Sequence, residues 1–397
     1  MTKSIRTVLT PLLIISYVSG LSITEFPVGC PRVWFSLLYM LLFWPIFLFL
    51  FKSIIISYFN NEHYNIEYHI CLGLDILITL LSIVFGIYHD KKFRNCLKKL
   101  DIVDSTLRNV GTITDYHKLY KKTMCHITGW FLLVITLTNV VAYWLRTEYN
   151  YDILTSMYAV FVRNYCSYIN MINDLIIANI FGYIGLKFDQ INQHLLNLTR
   201  DNKHEIKRAW ETSILQHRVP QALSNEWLIW IMIHLHSELR KISREVNLIF
   251  GVQMTFKMGC NFFWLALDLR DIFNAILIDN YIKSNKTLYT VVLLFLLCHN
   301  IFKLYFINYM CEMVNTKANA TGNLINKIPY SIYDINVREN ILQLLLQITQ
   351  APVRFYGIGL FQYGYKFLYG FISSITTVVV LLTQACINKQ TLKINDD

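Results

Sequence analysis

Three ionisable side chains sit inside runs that are otherwise apolar: Asp75 in CLGLDILITLL, Asp174 in NMINDLIIANI and Lys257 in FKMGCNFFWLALDLR, the last followed by Trp264 and Asp268. A charge among apolar neighbours is costly to desolvate, so such residues mark a polar pathway, a ligand pocket or an ion pair that closes on itself. Two acids, a base and an indole could hold a small polar or aromatic molecule. The plainer alternative is local: Asp174 and Lys257 neutralise one another, Trp264 is an interface anchor like Trp130 and Trp144, and Asp268 pairs with Arg270 or lies at a polar boundary. A further intrusion comes near the C-terminus, where FISSITTVVVLLTQACINKQ carries Gln384, with Leu381 three residues and Thr377 seven residues before it. On a helix these three share a face. An amide there is satisfied by water along an axis, by a neighbouring helix, or at a headgroup layer.

Covalent chemistry has no support in the residues. G-x-S-x-G, H-E-x-x-H and a phosphate-cradling glycine loop do not occur, and the nine cysteines form no CxxC pair or His/Cys cluster. The expectation is a protein that is not an enzyme and needs no metal or cofactor. The formal charge of +10 is spread through gaps between apolar runs rather than gathered in one domain, so nucleic acid is not an expected partner.

The elements that must position these groups are membrane spans. Of 397 residues, 54% are hydrophobic and 16% charged, too apolar for a soluble domain. Apolar segments at 33–57, 68–88, 126–145, 165–187, 246–270, 287–310 and 369–388 each approach the ~20 residues that cross a bilayer. The expected fold is therefore an all-α membrane protein with seven transmembrane helices. A signal peptide is disfavoured because Pro11 interrupts the first apolar stretch and no small-x-small cleavage site follows. The stretch is expected instead to form a short helix on the cytoplasmic face.

Connections on one side hold 24 Lys and Arg and those on the other hold 6, which places the N-terminus in the cytoplasm and the C-terminus outside. Three units follow: a cytoplasmic N-terminal segment, 1–32; helices one to six with the ligand-binding bundle, 33–340; and an amphipathic helix bending near Pro352 into the seventh span, 341–397. Segments 89–125 and 187–245 continue the helical period below the membrane and predict a packed cytoplasmic layer.

Seven spans suggest a G-protein-coupled receptor, but the orientation is opposite. An Asp/Glu-Arg-Tyr set after the third span and Asn-Pro-x-x-Tyr in the seventh are missing. A secondary transporter would use the intramembrane acids as proton carriers, yet the two halves show no repeat of broken helices.

The C-terminal region resembles the insect gustatory receptors, whose signature is Thr-Tyr, five hydrophobic residues, then Gln-Phe. Here Thr377-Val378, VVLLT and Gln384-Ala385 occupy those places, with Val378 for Tyr, Ala385 for Phe and Thr383 at a hydrophobic position. The resemblance implies a plasma-membrane chemoreceptor that is itself a ligand-gated, non-selective cation channel. It implies a homotetramer, or a heteromer with related subunits, with the seventh helices around one pore. By that resemblance Gln384 faces the pore near its outer mouth, Leu381 belongs to a hydrophobic gate and Thr377 continues the lining. Asp75, Asp174, Lys257 and Trp264 are then candidates for binding a small-molecule tastant, a sugar or a bitter compound.

Of the sequons at Asn197, Asn285 and Asn319, Asn285 alone falls on the expected outer side. The protein expressed in eukaryotic cells should lose one glycan on Asn285→Gln and none on Asn197→Gln or Asn319→Gln, read as a gel shift after glycosidase treatment.

Overall fold

A computed structural model describes residues 4–21, 32–58, 66–212, 219–277, 286–327 and 335–396, with the side chains of 57–58, 201–212, 219–225, 277 and 385–396 not described. The expected glycosylation residue Asn285 lies outside the described residues. The chain runs α1 (Ile5–Val18), α2 (Val33–Tyr58), α3 (Ile66–Asn109), α4 (Tyr116–Tyr149), α5 (Ile153–Thr212), α6 (Val219–Leu277), α7 (Lys286–Ile325), α8 (Ile335–Gln350), the short strands β1 (Tyr356–Gly357) and β2 (Phe361–Gln362), and α9 (Tyr365–Asp396).

Among the described residues six helices, α2, α3, α4, α5, α7 and α9, are long and apolar enough to cross a membrane. Helix α6 is long enough but carries Lys257, Asp268, Arg270 and Asp271, which lower its apolar character. The span expected at 246–270 thus carries buried charge, with Lys257, Asp268 and Arg270, and Asp271 just beyond it, all buried. Helix α5 is the central member, with 72% of its most apolar window buried against 17% for α9. It packs on α7, α4, α6, α3, α1 and α2.

Helices α3, α5, α6 and α7, of 44, 60, 59 and 40 residues, overrun the ~20 that hydrocarbon requires. At ~1.5 Å per residue, α5 alone extends ~90 Å. The overrun makes a second packed layer, and its centre is polar. Asp104 accepts hydrogen bonds from Thr114 Oγ1 (2.7 Å), Tyr116 Oη (2.6 Å) and Lys187 Nζ, and Arg108 approaches its other side at 2.9 Å. Lys187, fully buried, also donates to Thr114 (2.7 Å) and Gln190 Oε1 (3.0 Å) and lies over the Tyr183 ring. Every proton of that ammonium has an acceptor, which is the condition for a buried pair to be tolerated. Nearby, His236 donates from Nε2 to the Ala318 carbonyl (3.3 Å), and burial lowers its pKa to about 4, so the ring is neutral at physiological pH.

Three local features differ from the sequence reading. Helix α1 continues through Pro11, and instead of lying on a surface it buries Ile5, Val8, Leu9 and Leu12 against the bundle. Ser4 starts it with a reciprocal cap to Thr7. The amphipathic helix near the C-terminus begins at Ile335 and ends at Gln350, before Pro352. A β-hairpin, rather than a bend, then joins it to α9. The hairpin turns on Ile358 and Gly359, both at positive φ, and is tied down by the Tyr356 N–H on Asn247 Oδ1 (3.1 Å). At Gly364 (φ 135°) the N–H donates to Asn308 Oδ1 (3.0 Å), and that left-handed backbone favours glycine where α9 starts.

Lys187→Met should destabilise the protein by ~3–5 kcal/mol by leaving Asp104 buried without its cation, and Lys187→Met/Asp104→Leu should recover part of that loss. Thermal unfolding of the detergent-solubilised chain followed by size exclusion measures both.

Candidate functional site

Asp75, Asp174, Lys257 and Trp264, expected from the sequence to share a pocket, lie on α3, α5 and α6 and belong to one hydrogen-bonded network. Trp264 Nε1 donates to Asp75 Oδ2 (3.1 Å) and Cys260 Sγ to Asp75 Oδ1 (3.3 Å). One turn inward, Thr79 Oγ1 donates to the Asp75 carbonyl (2.7 Å) and accepts from Asn170 Nδ2 (2.9 Å). The Asn170 carbonyl in turn accepts from Lys257 Nζ (2.9 Å), which pairs with Asp174 Oδ1 at 2.6 Å. Asp75 and Lys257 are buried. Asn170 Oδ1, also buried, makes no hydrogen bond among the described residues, so this network keeps an open acceptor.

The outer end is more heavily charged. Arg270 pairs with Glu67 and Asp271, Tyr68 donates to Asp271, and the Tyr68 and Trp264 rings stand 6.1 Å apart at 58°. Asp268 does not pair with Arg270, one of the two local alternatives that the sequence left open for it. Two residues apart on a helix, they point to opposite sides, and Asp268 accepts instead from Asn300 Nδ2 on α7 (2.7 Å).

Thr79, Asn170, Cys260, Tyr68 and Asn300 were not singled out from the sequence. Their signal was periodicity: Asp75 and Thr79, Asn170 and Asp174, and Lys257, Cys260 and Trp264 recur at i, i+3, i+4 and i+7, each set a polar stripe on one face of an apolar helix. The four candidates, expected to line a polar, aromatic cavity that opens outward, bond to one another on facing helices. Their side chains face one another, and a cavity of about 560 Å³ begins at Asn173 and Gln253, one turn further in.

On α9 the faces divide sharply. Phe371, Ile375 and Val379 are buried, Phe371 meeting Phe262 of α6 edge to face at 5.4 Å. Thr377, Leu381 and Gln384 are exposed, and at ~100° per residue they lie roughly opposite the buried stripe. Thr377 and Thr383 hydroxyls return to their own helix, on Ser373 (3.1 Å) and Val379 (2.8 Å) carbonyls. Among the described residues the Gln384 amide makes no such bond back to its own helix.

The sequence matches the family described as 7tm Chemosensory receptor over residues 9–388. No curated protein matches it. Among solved structures, the fold is similar to the insect olfactory receptor OR5 from Machilis hrabei, with a TM-score of 0.63 at 12% identity over 96% of this chain and 98% of that one. The same receptor in complex with eugenol superposes with a TM-score of 0.61 at 11% identity, over 96% and 98% of the two chains. At that identity the likeness speaks for the fold, which agrees with the helical architecture above. An all-α, multi-pass membrane protein of receptor rather than enzyme lineage, suited to the plasma membrane, this chain belongs to the 7tm chemosensory receptor family.

Proposed function

We propose that the chain is a subunit of a gustatory-type chemoreceptor, a ligand-gated and non-selective cation channel for small tastants. In this reading seven helices cross the membrane, α2 to α7 and α9, with the N-terminus cytoplasmic and the C-terminus outside. The observation that carries it is the division of α9: one face packs on the chain's own bundle, and the opposite face presents Thr377, Leu381 and Gln384 outward. Within a span, an amide with no bond among the described residues needs water or another subunit. A tetramer, or a heteromer with related subunits, that sets four α9 helices around an axis supplies both. Leu381 then forms a ring that dewets when the helices close, and Thr377 and Gln384 line the wettable parts.

The ligand in this reading engages the Asp75–Trp264 and Asp174–Lys257 network. A molecule able to compete for those hydrogen bonds changes how α3, α5 and α6 meet, and α6 carries α9 and the hairpin directly. The link from site to pore is therefore a rearrangement of packed helices, which the ligand biases by binding one arrangement more tightly. The eugenol complex of OR5 supports a small molecule as the class of ligand.

Whole-cell recording in cells without added G protein should show tastant-evoked cation current across a panel of sugars and bitter compounds. Gln384→Ala should change relative ion permeability or unitary conductance, and Leu381→Ala should raise the ligand-free current. Unchanged permeation in an otherwise active Gln384→Ala channel sinks the pore assignment. Asp75→Asn should leave conductance alone but move the half-maximal ligand concentration about tenfold, equivalent to ~1.4 kcal/mol. An unmoved dose response would make the network a structural lock rather than a binding site.

A further inference from the structure

The cavity of about 560 Å³ is lined by α1, the start of α2, α3, α5 and α6, beginning one turn beyond the polar network and without residues of α9. Its inner wall is apolar, with Leu13, Leu21, Phe85, Phe93, Ile176 and Phe250. Its other end is basic: Arg6, Arg32 and Arg94 line it with a single acid, Asp90, which pairs with Arg94. Two further polar atoms on α3 face this space. Ser82, 4% exposed, has an Oγ with no hydrogen bond among the described residues, and the buried Nδ1 of His89 is in the same state. Leu21, just after α1, lies close over α3, where a Cβ on Gly86 would come 3.3 Å from the Leu21 carbonyl.

An apolar hollow with an excess of guanidinium at one end, and buried polar atoms left unmet between, fits an amphiphilic anion. We propose that this cavity is a binding site for an anionic phospholipid of the inner leaflet. One acyl chain fills the apolar part, while the second stays in the leaflet. The phosphate takes the arginines, whose planar forks match its oxygens, and the glycerol ester oxygens accept from Ser82 and His89. Volume agrees, since small-ligand sites run ~300–1,000 Å³. Position agrees as well: Arg6 and Arg32 belong to the Lys/Arg-rich side, where basic pockets between helices meet anionic headgroups. The choice of leaflet rests on the topology proposed above; the existence of the site does not. A lipid lodged there would tie α1 to the three helices that form the polar network.

Native mass spectrometry of the detergent-purified full chain, titrated separately with phosphatidylserine, phosphatidylcholine and water-soluble glycerophosphoserine, tests this. One phosphatidylserine should be retained per chain in preference to phosphatidylcholine. Arg6→Ala/Arg32→Ala should cut that preference about tenfold, and Ser82→Leu, which fills the hollow, should remove the retained lipid. The arginine variant changes the rim alone and so keeps the test open where Ser82→Leu fails to fold. Equal retention of the two lipids, wild-type retention by the arginine variant, or full competition by glycerophosphoserine would overturn the proposal. Because mass is read and not current, a chain that retains phosphatidylserine yet conducts nothing would sink the channel reading and leave this one standing.

Discussion

Lys257 brings an ammonium into the middle of a helical bundle, and hydrocarbon can offer it nothing. Its partners must come from the chain itself, and they come from α5: the Asp174 carboxylate and the Asn170 carbonyl. That requirement sets the depth and rotation of α6 against α5. Asn170 then reaches Thr79, and Asp75 a turn away takes Trp264 and Cys260 of α6, so α3 is fixed to both. Each bond is modest in net terms, but leaving any of these buried groups unmet costs ~1–3 kcal/mol, more for a charge. The three helices are held by the penalty for separating them at least as much as by the attraction between them.

The same constraint acts a second time further along α3 and α5. There Lys187 and Asp104 are buried together, and a shell of hydroxyls and an amide completes their bonding. Two polar knots thus pin α3 and α5 at two heights, one shared with α6 and the other with the start of α4. Between these heights lies the cavity, lined by apolar side chains and by two polar atoms that neither knot absorbs. Packing that is specified at two levels leaves the intervening volume free to take a molecule without loosening the bundle.

Helix α9 is the exception to internal satisfaction. It is seated at its start by the hairpin, by Gly364 against Asn308 and by Phe371 against Phe262, and beyond that point one stripe alone is covered. A helix anchored firmly at one end and on one side can be displaced by movement of α6 while its free face remains available to an assembly. Mechanical coupling and exposure are both consequences of where its apolar stripe stops.

Composition and hydropathy along the chain were enough to show a membrane protein, to place six apolar spans and to mark Asp75, Asp174, Lys257 and Gln384 as intrusions, because the cost of a polar group in hydrocarbon is legible one residue at a time. Partnership was not legible. That Asp268 meets Asn300 rather than Arg270, that α1 is inserted and not laid on a surface, and that a hairpin stands where a bend was expected all depend on contacts between residues far apart in the chain. So does the cavity, whose walls come from five separate helices. Burial and free volume are properties of how helices meet, and helical period alone records which face is apolar without recording what covers it.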